Sequence, residues 1–233
     1  MPCALHRRGH RATTSATPRS ILYRSIITGL RHRFRYVAVD YPGFGLSTAA
    51  PGYGFTPAER ARVLEKLISF LDLRNITMIV HDRGGPIGFA VATCQPERFT
   101  AFVIGNTFAS PRSDLLTQIF SADLRRPARR LAHSQTELSC RNDPARHCAD
   151  ERTPIRGNGR LRRTFPTPES RKPQHVFARQ MLASRPRLTE IERRLEVLGA
   201  GPAPILWPTR DIAFGNRERL PGSTIKKDTL ISG

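Results

Sequence analysis

The chain has 233 residues, a hydrophobic fraction of 39% and a net charge of +19, long enough to bury the core of one α/β domain. No apolar run approaches the ~18–20 residues of a membrane helix, and the opening "MPCALHRRGHRATTSATPRS" has no apolar segment of the secretory type. Its four cysteines follow no disulfide-framework spacing, so a reducing cytoplasm is the expected compartment, without membrane attachment.

In chain order, residues 1–19 are basic and unpatterned. "RYVAVD" (35–40) reads as a short strand ending at Asp40, followed by the loop "YPGFGLS". "TPAERARVLEKLISFLDL" (56–73) reads as an amphipathic helix: Thr56 caps it, Pro57 suits its first position and Glu59 completes a capping box. Val63, Leu64, Leu67, Ile68 and Leu71 form its apolar stripe. "ITMIVH" (76–81) is a second strand, "GPIGFAVATCQ" (85–95) a second helix closed by Pro96, and "AFVIGN" (101–106) a third strand. Strand and helix alternating at this spacing predict crossover units and a parallel sheet. A fourth strand, "APILW" (203–207), follows only after residues 107–202. Within that gap "DLLTQIFSADL" and "VFARQMLASRPRLTEIERRLEVL" look helical, whereas 133–163 and the last residues, "LPGSTIKKDTLISG", show no periodicity.

The positive charge collects outside the well-patterned part. Residues 21–110 hold 10 basic and 6 acidic side chains, residues 125–175 hold 13 and 5. A nucleic-acid partner would explain such an excess, but no aromatic residue lies between Phe120 and Phe165 to stack a base, and no zinc-finger or RNA-binding motif is present. No specific nucleic-acid partner is expected. Cys140, His147 and Cys148 lack a second ligand pair of recognisable spacing, so no metal and no organic cofactor is expected either.

The chemistry concentrates in "MIVHDRGGPIG" (78–88), where a strand breaks at Asp82 into a glycine turn and a helix. A strand–turn–helix of this kind is a nucleophile elbow, which lifts one side chain clear of the sheet. A carboxylate there is already anionic at neutral pH. It can attack carbon directly, expel a leaving group and form an ester that water must then break. The bland alternative is a turn residue that merely caps the next helix. Asp40 reads as a structural acid that accepts loop N–H bonds. His81 points away from Asp82 along the strand and is a poor general base.

"YVAVDYPGFGLS", "VHDRGGPIGFAVA", "VIGNTF" and "ILWPTRDIAF" resemble, in order, signature blocks of the haloalkane dehalogenases, α/β-hydrolases in which an aspartate displaces halide from an alkyl carbon. The resemblance covers residues 20–132 and 164–216. It implies a mostly parallel sheet of eight strands flanked by helices, with a helical cap inserted in the 107–202 gap. It also implies Asp82 as nucleophile, Asp211 as the acid that orients the catalytic histidine, and Arg83 at the oxyanion and halide site. A small-molecule haloalkane would be the substrate.

Three departures accompany the match. Arg83 stands where the family has a halide-binding Trp. Arginine there resembles the fluoroacetate dehalogenases, whose second, carboxylate-binding arginine three residues on is replaced by Pro86. The family's N-terminal oxyanion block is not recognisable in "TSATPR", where an ungapped count puts Ala16 at the position of the halide-binding Asn. No histidine occurs among the 22 residues after Asp211 (233 − 211), so the triad base is not found. The expected organisation is therefore an unpatterned tail over 1–19, a first core part over 20–110, a cap over 111–200 and a truncated second core part over 201–233, with incomplete N- and C-terminal core strands. Stretches 1–19, 133–163 and 217–233 read as translated sequence that no longer encodes the ancestral fold, as in a frame-shifted gene. The expected function is impaired alkyl-halide hydrolysis. Alternatives are a haloacid dehalogenase or epoxide hydrolase of the same fold, and a non-catalytic relic or basic binding protein.

Overall fold

The computed structural model describes residues 12–16, 20–111, 183–199, 201–206 and 230–231, together with 172, 173, 176 and 180. Strand β1 is Ala12–Ala16. A 3₁₀ turn at Ser20–Tyr23 leads into α1, Arg24–Leu30. Then come β2 (Arg35–Ala38), α2 (Pro57–Phe70), β3 (Ile76–Asp82), α3 (Gly84–Ala92) and β4 (Phe99–Thr107). Helix α4 is Arg185–Arg194, and β5 (Ile205–Leu206) and β6 (Leu230–Ile231) complete the described strands.

These six strands form one sheet in the order β2-β1-β3-β4-β5-β6, and every described pairing is parallel. Parallel strands place all their C-terminal ends on one edge, where open α/β sheets bind ligands. Ala16 of β1 lies in register with Val80 of β3, and Asp82 with Thr107 of β4. Three strand ends therefore converge within two residues of Asp82.

Helix α2 starts where its sequence says it should. The Thr56 hydroxyl accepts the Glu59 N–H at 3.2 Å, and the Glu59 carboxylate accepts the Thr56 N–H at 2.9 Å, a reciprocal arrangement that satisfies two otherwise orphaned donors. Leu64 and Ile68 are fully buried, with Leu67 and Leu71 packed against the same core. Helix α3 is buried at all nine of its residues and packs on α2, α4, β1, β3 and β4. Arg194 of α4 donates from Nη2 to the Thr93 carbonyl at 2.8 Å, supplying a cationic partner to the carbonyl end of α3.

Two strands occupy stretches that show no strand pattern in the sequence. β1 falls inside the expected tail, yet it is inserted between β2 and β3. Its ATTSA sequence has no apolar run, and main-chain pairing on both sides holds it where periodicity gives no signal. β6 similarly pairs with β5 from within the polar C-terminal stretch. The helix expected over 176–198 starts its last regular run only at Arg185, with Pro186 in its first turn, and tightens to a 3₁₀ turn at Leu195–Leu198; a proline lacks the N–H that a continuous helix would need at that point. The segments "DLLTQIFSADL" and 133–163, with Cys140, His147 and Cys148, lie outside the described residues.

Candidate active site

Asp82 is the last residue of β3 and has φ of +49°, a left-handed conformation uncommon for any residue with a Cβ. A register shift between His81 and Asp82 accompanies it, and such irregularities re-aim a side chain at a sheet edge. The next strand end has a similar feature: Asn106 has φ of +32° and is buried. The Thr107 hydroxyl donates to the Asp82 carbonyl oxygen, pinning the turn to β4.

The glycines after Asp82 make this contact feasible. A Cβ on Gly85 would lie 1.9 Å from Thr107 Oγ1 and 2.9 Å from the Phe108 carbonyl oxygen, so only glycine lets α3 start so close to β4. Arg83 is the N-cap of α3 with φ of −72° and ψ of −4°. The start of a helix presents main-chain N–H groups without intrahelical partners, a favourable environment for developing negative charge.

A cleft opens beside the elbow. On the core side Pro57, Arg83, Pro86 and Phe108 line it. Across from them, Ser184, Arg187, Leu188 and Ile191 come from α4 and its cap, with Gln180 preceding them. Its surface is overwhelmingly apolar, although Arg83 and Arg187 are among the residues that line it.

Behind the elbow lies a fully buried Arg60 on α2. Its Nη2 donates to the Pro173 carbonyl at 3.2 Å and its guanidinium lies 4.8 Å from the Phe44 ring centroid. Burial pushes its pKa down to about 10, the Tyr53 and Tyr41 hydroxyls oppose that shift, and the Arg83 charge adds to it. Arg60 therefore stays cationic at neutral pH.

Asp40 is a strut. Its carboxylate accepts the Ser20 N–H at 2.7 Å and the Leu46 N–H at 3.3 Å, and Gly45, with φ of +55°, passes so close that a Cβ would lie 2.2 Å from Asp40 Oδ2. That is the structural role expected for it.

Comparison with known proteins places this geometry. The family described as alpha/beta hydrolase fold matches residues 18–201. Haloalkane dehalogenase 2 of Mycobacterium tuberculosis is 34% identical over 204 residues, which are 87% of this chain and 71% of that protein. The chain belongs to the haloalkane dehalogenase family of α/β-hydrolases. A cis-3-alkyl-4-alkyloxetan-2-one decarboxylase of Shewanella oneidensis is 39% identical over a shorter stretch of 93 residues, 39% of this chain and 29% of that protein. Among solved structures, a mutant haloalkane dehalogenase from Agrobacterium tumefaciens superposes with a TM-score of 0.77 at 22% identity, covering 98% of this chain and 82% of that one. A haloalkane dehalogenase from Bradyrhizobium elkani gives 0.76 at 18% identity, covering 98% and 84%. These superpositions establish the shared fold.

Within this dehalogenase-family chain Asp82 ends β3 and Arg83 caps α3, at the C-terminal edge of the sheet. Asp211 lies outside the described residues. His32 is exposed after α1 and His81 lies within β3; among the described residues neither hydrogen-bonds to Asp82. Helix α4's share of the cleft is missed by sequence reading, although the spacing of Leu188, Ile191 and Leu195 marks a buried helical face. Arg60 is missed as well. Its only signal is its place one turn before Leu64 on the apolar stripe, a position where arginine is rarely expected.

Proposed function

We propose that the chain displaces halide from alkyl halides through a covalent ester on Asp82. One observation carries this reading: a carboxylate-bearing residue is held at φ of +49° where β3 turns into α3, at the ligand-binding edge of the sheet. Backbone strain of this kind costs about 1–3 kcal/mol and persists where a site needs a side chain aimed in a set direction.

In the first step an Asp82 Oδ attacks the halogen-bearing carbon. The carbon–halogen electron pair leaves with the halide, and an alkyl ester forms. The Arg83 N–H, at the start of α3, is assigned to the oxyanion site, and its guanidinium supplies positive charge for the departing halide. In the second step water adds to the Asp82 carbonyl carbon, the alcohol leaves, and the carboxylate is restored with release of a proton. Asp211 is assigned as the acid that would orient a histidine base. Among the 233 residues of this sequence no histidine follows Asp211; where that base is missing, such a step slows by about 10²–10⁴-fold and the ester accumulates. No cofactor enters either step, and the cytoplasm is the proposed compartment.

Intact-mass spectrometry after incubation with 1-bromobutane tests this. The expected result is one butyl adduct, abolished in Asp82→Asn, with little continuing bromide release. Sustained release at ordinary enzyme rates would refute the missing-base reading, and an adduct unaffected by Asp82→Asn would remove Asp82 as nucleophile.

A further inference from the structure

Gln180, Ser184, Leu188 and Ile191 carry the second wall of the cleft, and an arginine-to-carbonyl bond stands at each end of it. Before Gln180, the buried Pro173 accepts at its carbonyl from Nη2 of Arg60 on α2, at 3.2 Å. After Ile191, Arg194 donates from Nη2 to the Thr93 carbonyl at the end of α3, at 2.8 Å. Both bonds cross between this wall and the α2–α3 side of the core. Pro173 is also seated sterically: a Cβ on Gly43 would lie 2.5 Å from Pro173 Cγ, and Lys172 Nζ lies 5.8 Å from the Phe55 ring centroid. Pro57, three residues before Arg60 on α2, lines the cleft itself, so the first anchor sits one helical turn from the site.

A hydrogen bond from a cation is stronger than one between neutral groups. Helix α4 has ten residues, too few for a helix to persist alone in water, so its structure depends on docking. We infer that Arg60 and Arg194 are positioning residues, which together fix the second wall against the core and so set where Leu188 and Ile191 meet the cleft. Neither is assigned a contact with the reacting atoms. The effect on substrate rests on the aspartyl-ester reading; the anchoring itself does not. With an anchor lost, the wall spends more of its time away from the core, and the alkyl chain of the substrate meets a formed cleft less often. Apparent affinity then falls in proportion to the docked fraction, while Asp82 reacts at its usual rate once the chain is bound.

Amide hydrogen exchange on the full chain tests the anchors without any chemistry. The Ser184 and Leu188 amides donate to the Gln180 and Ser184 carbonyls, and their exchange rates report local opening. Exchange there is expected to rise roughly tenfold in Arg60→Met and in Arg194→Met, the low end of what a hydrogen bond to a charged group contributes, with a smaller change at Val80 and Ile104 in the sheet. Arg60→Lys and Arg194→Lys keep a cationic donor and are expected to retain part of the protection. Mass spectrometry of Asp82 alkylation at graded 1-bromobutane concentrations measures the effect on substrate. The half-saturating concentration is expected to rise in both methionine variants, with the limiting rate near that of the wild type. Unchanged exchange at Ser184 and Leu188, or an equal rise at Val80 and Ile104, overturns the anchors, the second because it marks a global loss of stability. Raised exchange with an unchanged half-saturating concentration overturns the positioning role. If the wild type gives no adduct, the ester reading falls, and the exchange rates alone uphold or overturn the anchors.

Discussion

Substituting Gly85 tests whether the elbow depends on a close approach of α3 to β4. In an ordinary helix Gly→Ala stabilises by about 0.8–1 kcal/mol through propensity. Here the added methyl would lie 1.9 Å from Thr107 Oγ1, 3.0 Å from Thr107 Cβ and 2.9 Å from the Phe108 carbonyl oxygen. Contacts that short force backbone shifts, which typically cost about 1–3 kcal/mol. The clash offsets the propensity gain, so Gly85→Ala is expected to destabilise by up to about 2 kcal/mol. Thr107→Ala removes the hydroxyl that donates to the Asp82 carbonyl and should cost about 0.5–1.5 kcal/mol alone. In the double variant the nearest of the three contacts is gone, and only those to Cβ and the Phe108 carbonyl remain. The combined loss should therefore fall short of the sum by about 0.5–2 kcal/mol, within the range for residues in direct contact. Urea unfolding of all four proteins, with unchanged slopes, measures the cycle. A stabilised Gly85→Ala, or strict additivity in the double variant, would refute the reasoning.

Three further outcomes are expected. Glu59→Gln should lower stability by about 0.5–2 kcal/mol at neutral pH, the scale of a lost cap. The backbone N–H of Thr56 is the first cause holding the Glu59 carboxyl below the usual glutamate range. The advantage over Gln is thus full above that range and fades as acid protonates the folded carboxylate; melting temperatures that differ equally at neutral pH and pH 3 would contradict this. Asp40→Asn keeps one acceptor but turns an NH₂ towards the Ser20 or Leu46 N–H; a loss of about 1–3 kcal/mol is expected, with faster amide exchange at Leu46, and unchanged exchange would remove Asp40 as a strut. Arg60→Met, which fills similar space, should stay within about 1.5 kcal/mol of wild type, whereas Arg60→Ala should lose about 2–4 kcal/mol to a cavity; equal losses in urea unfolding would show that the charge, not the volume, matters there.

Short-range regularities made much of the core legible in the sequence. The Thr56–Glu59 capping box, the Leu64 and Ile68 stripe and the apolar strands β3 and β4 each follow from residues within a few positions of one another, where capping and periodicity act. Asp82 was legible for the same reason: strand, glycine turn and helix are contiguous, and the unusual φ is local. Asp40 could be assigned because a strand-end carboxylate faces its own loop.

What the sequence could not supply depends on partners distant in the chain. β1 gains strand structure from pairing with β2 and β3, not from any pattern in ATTSA. Arg60 reads as a solvated charge until Pro173, 113 residues away, offers its carbonyl. Leu188 and Ile191 read as one apolar helical face among several until α4 packs on α3 and brings them to the cleft with Phe108. Capping and periodicity are encoded over one or two turns of chain. The lining of a cleft is decided by which distant segments close it, and only the tertiary structure makes that choice.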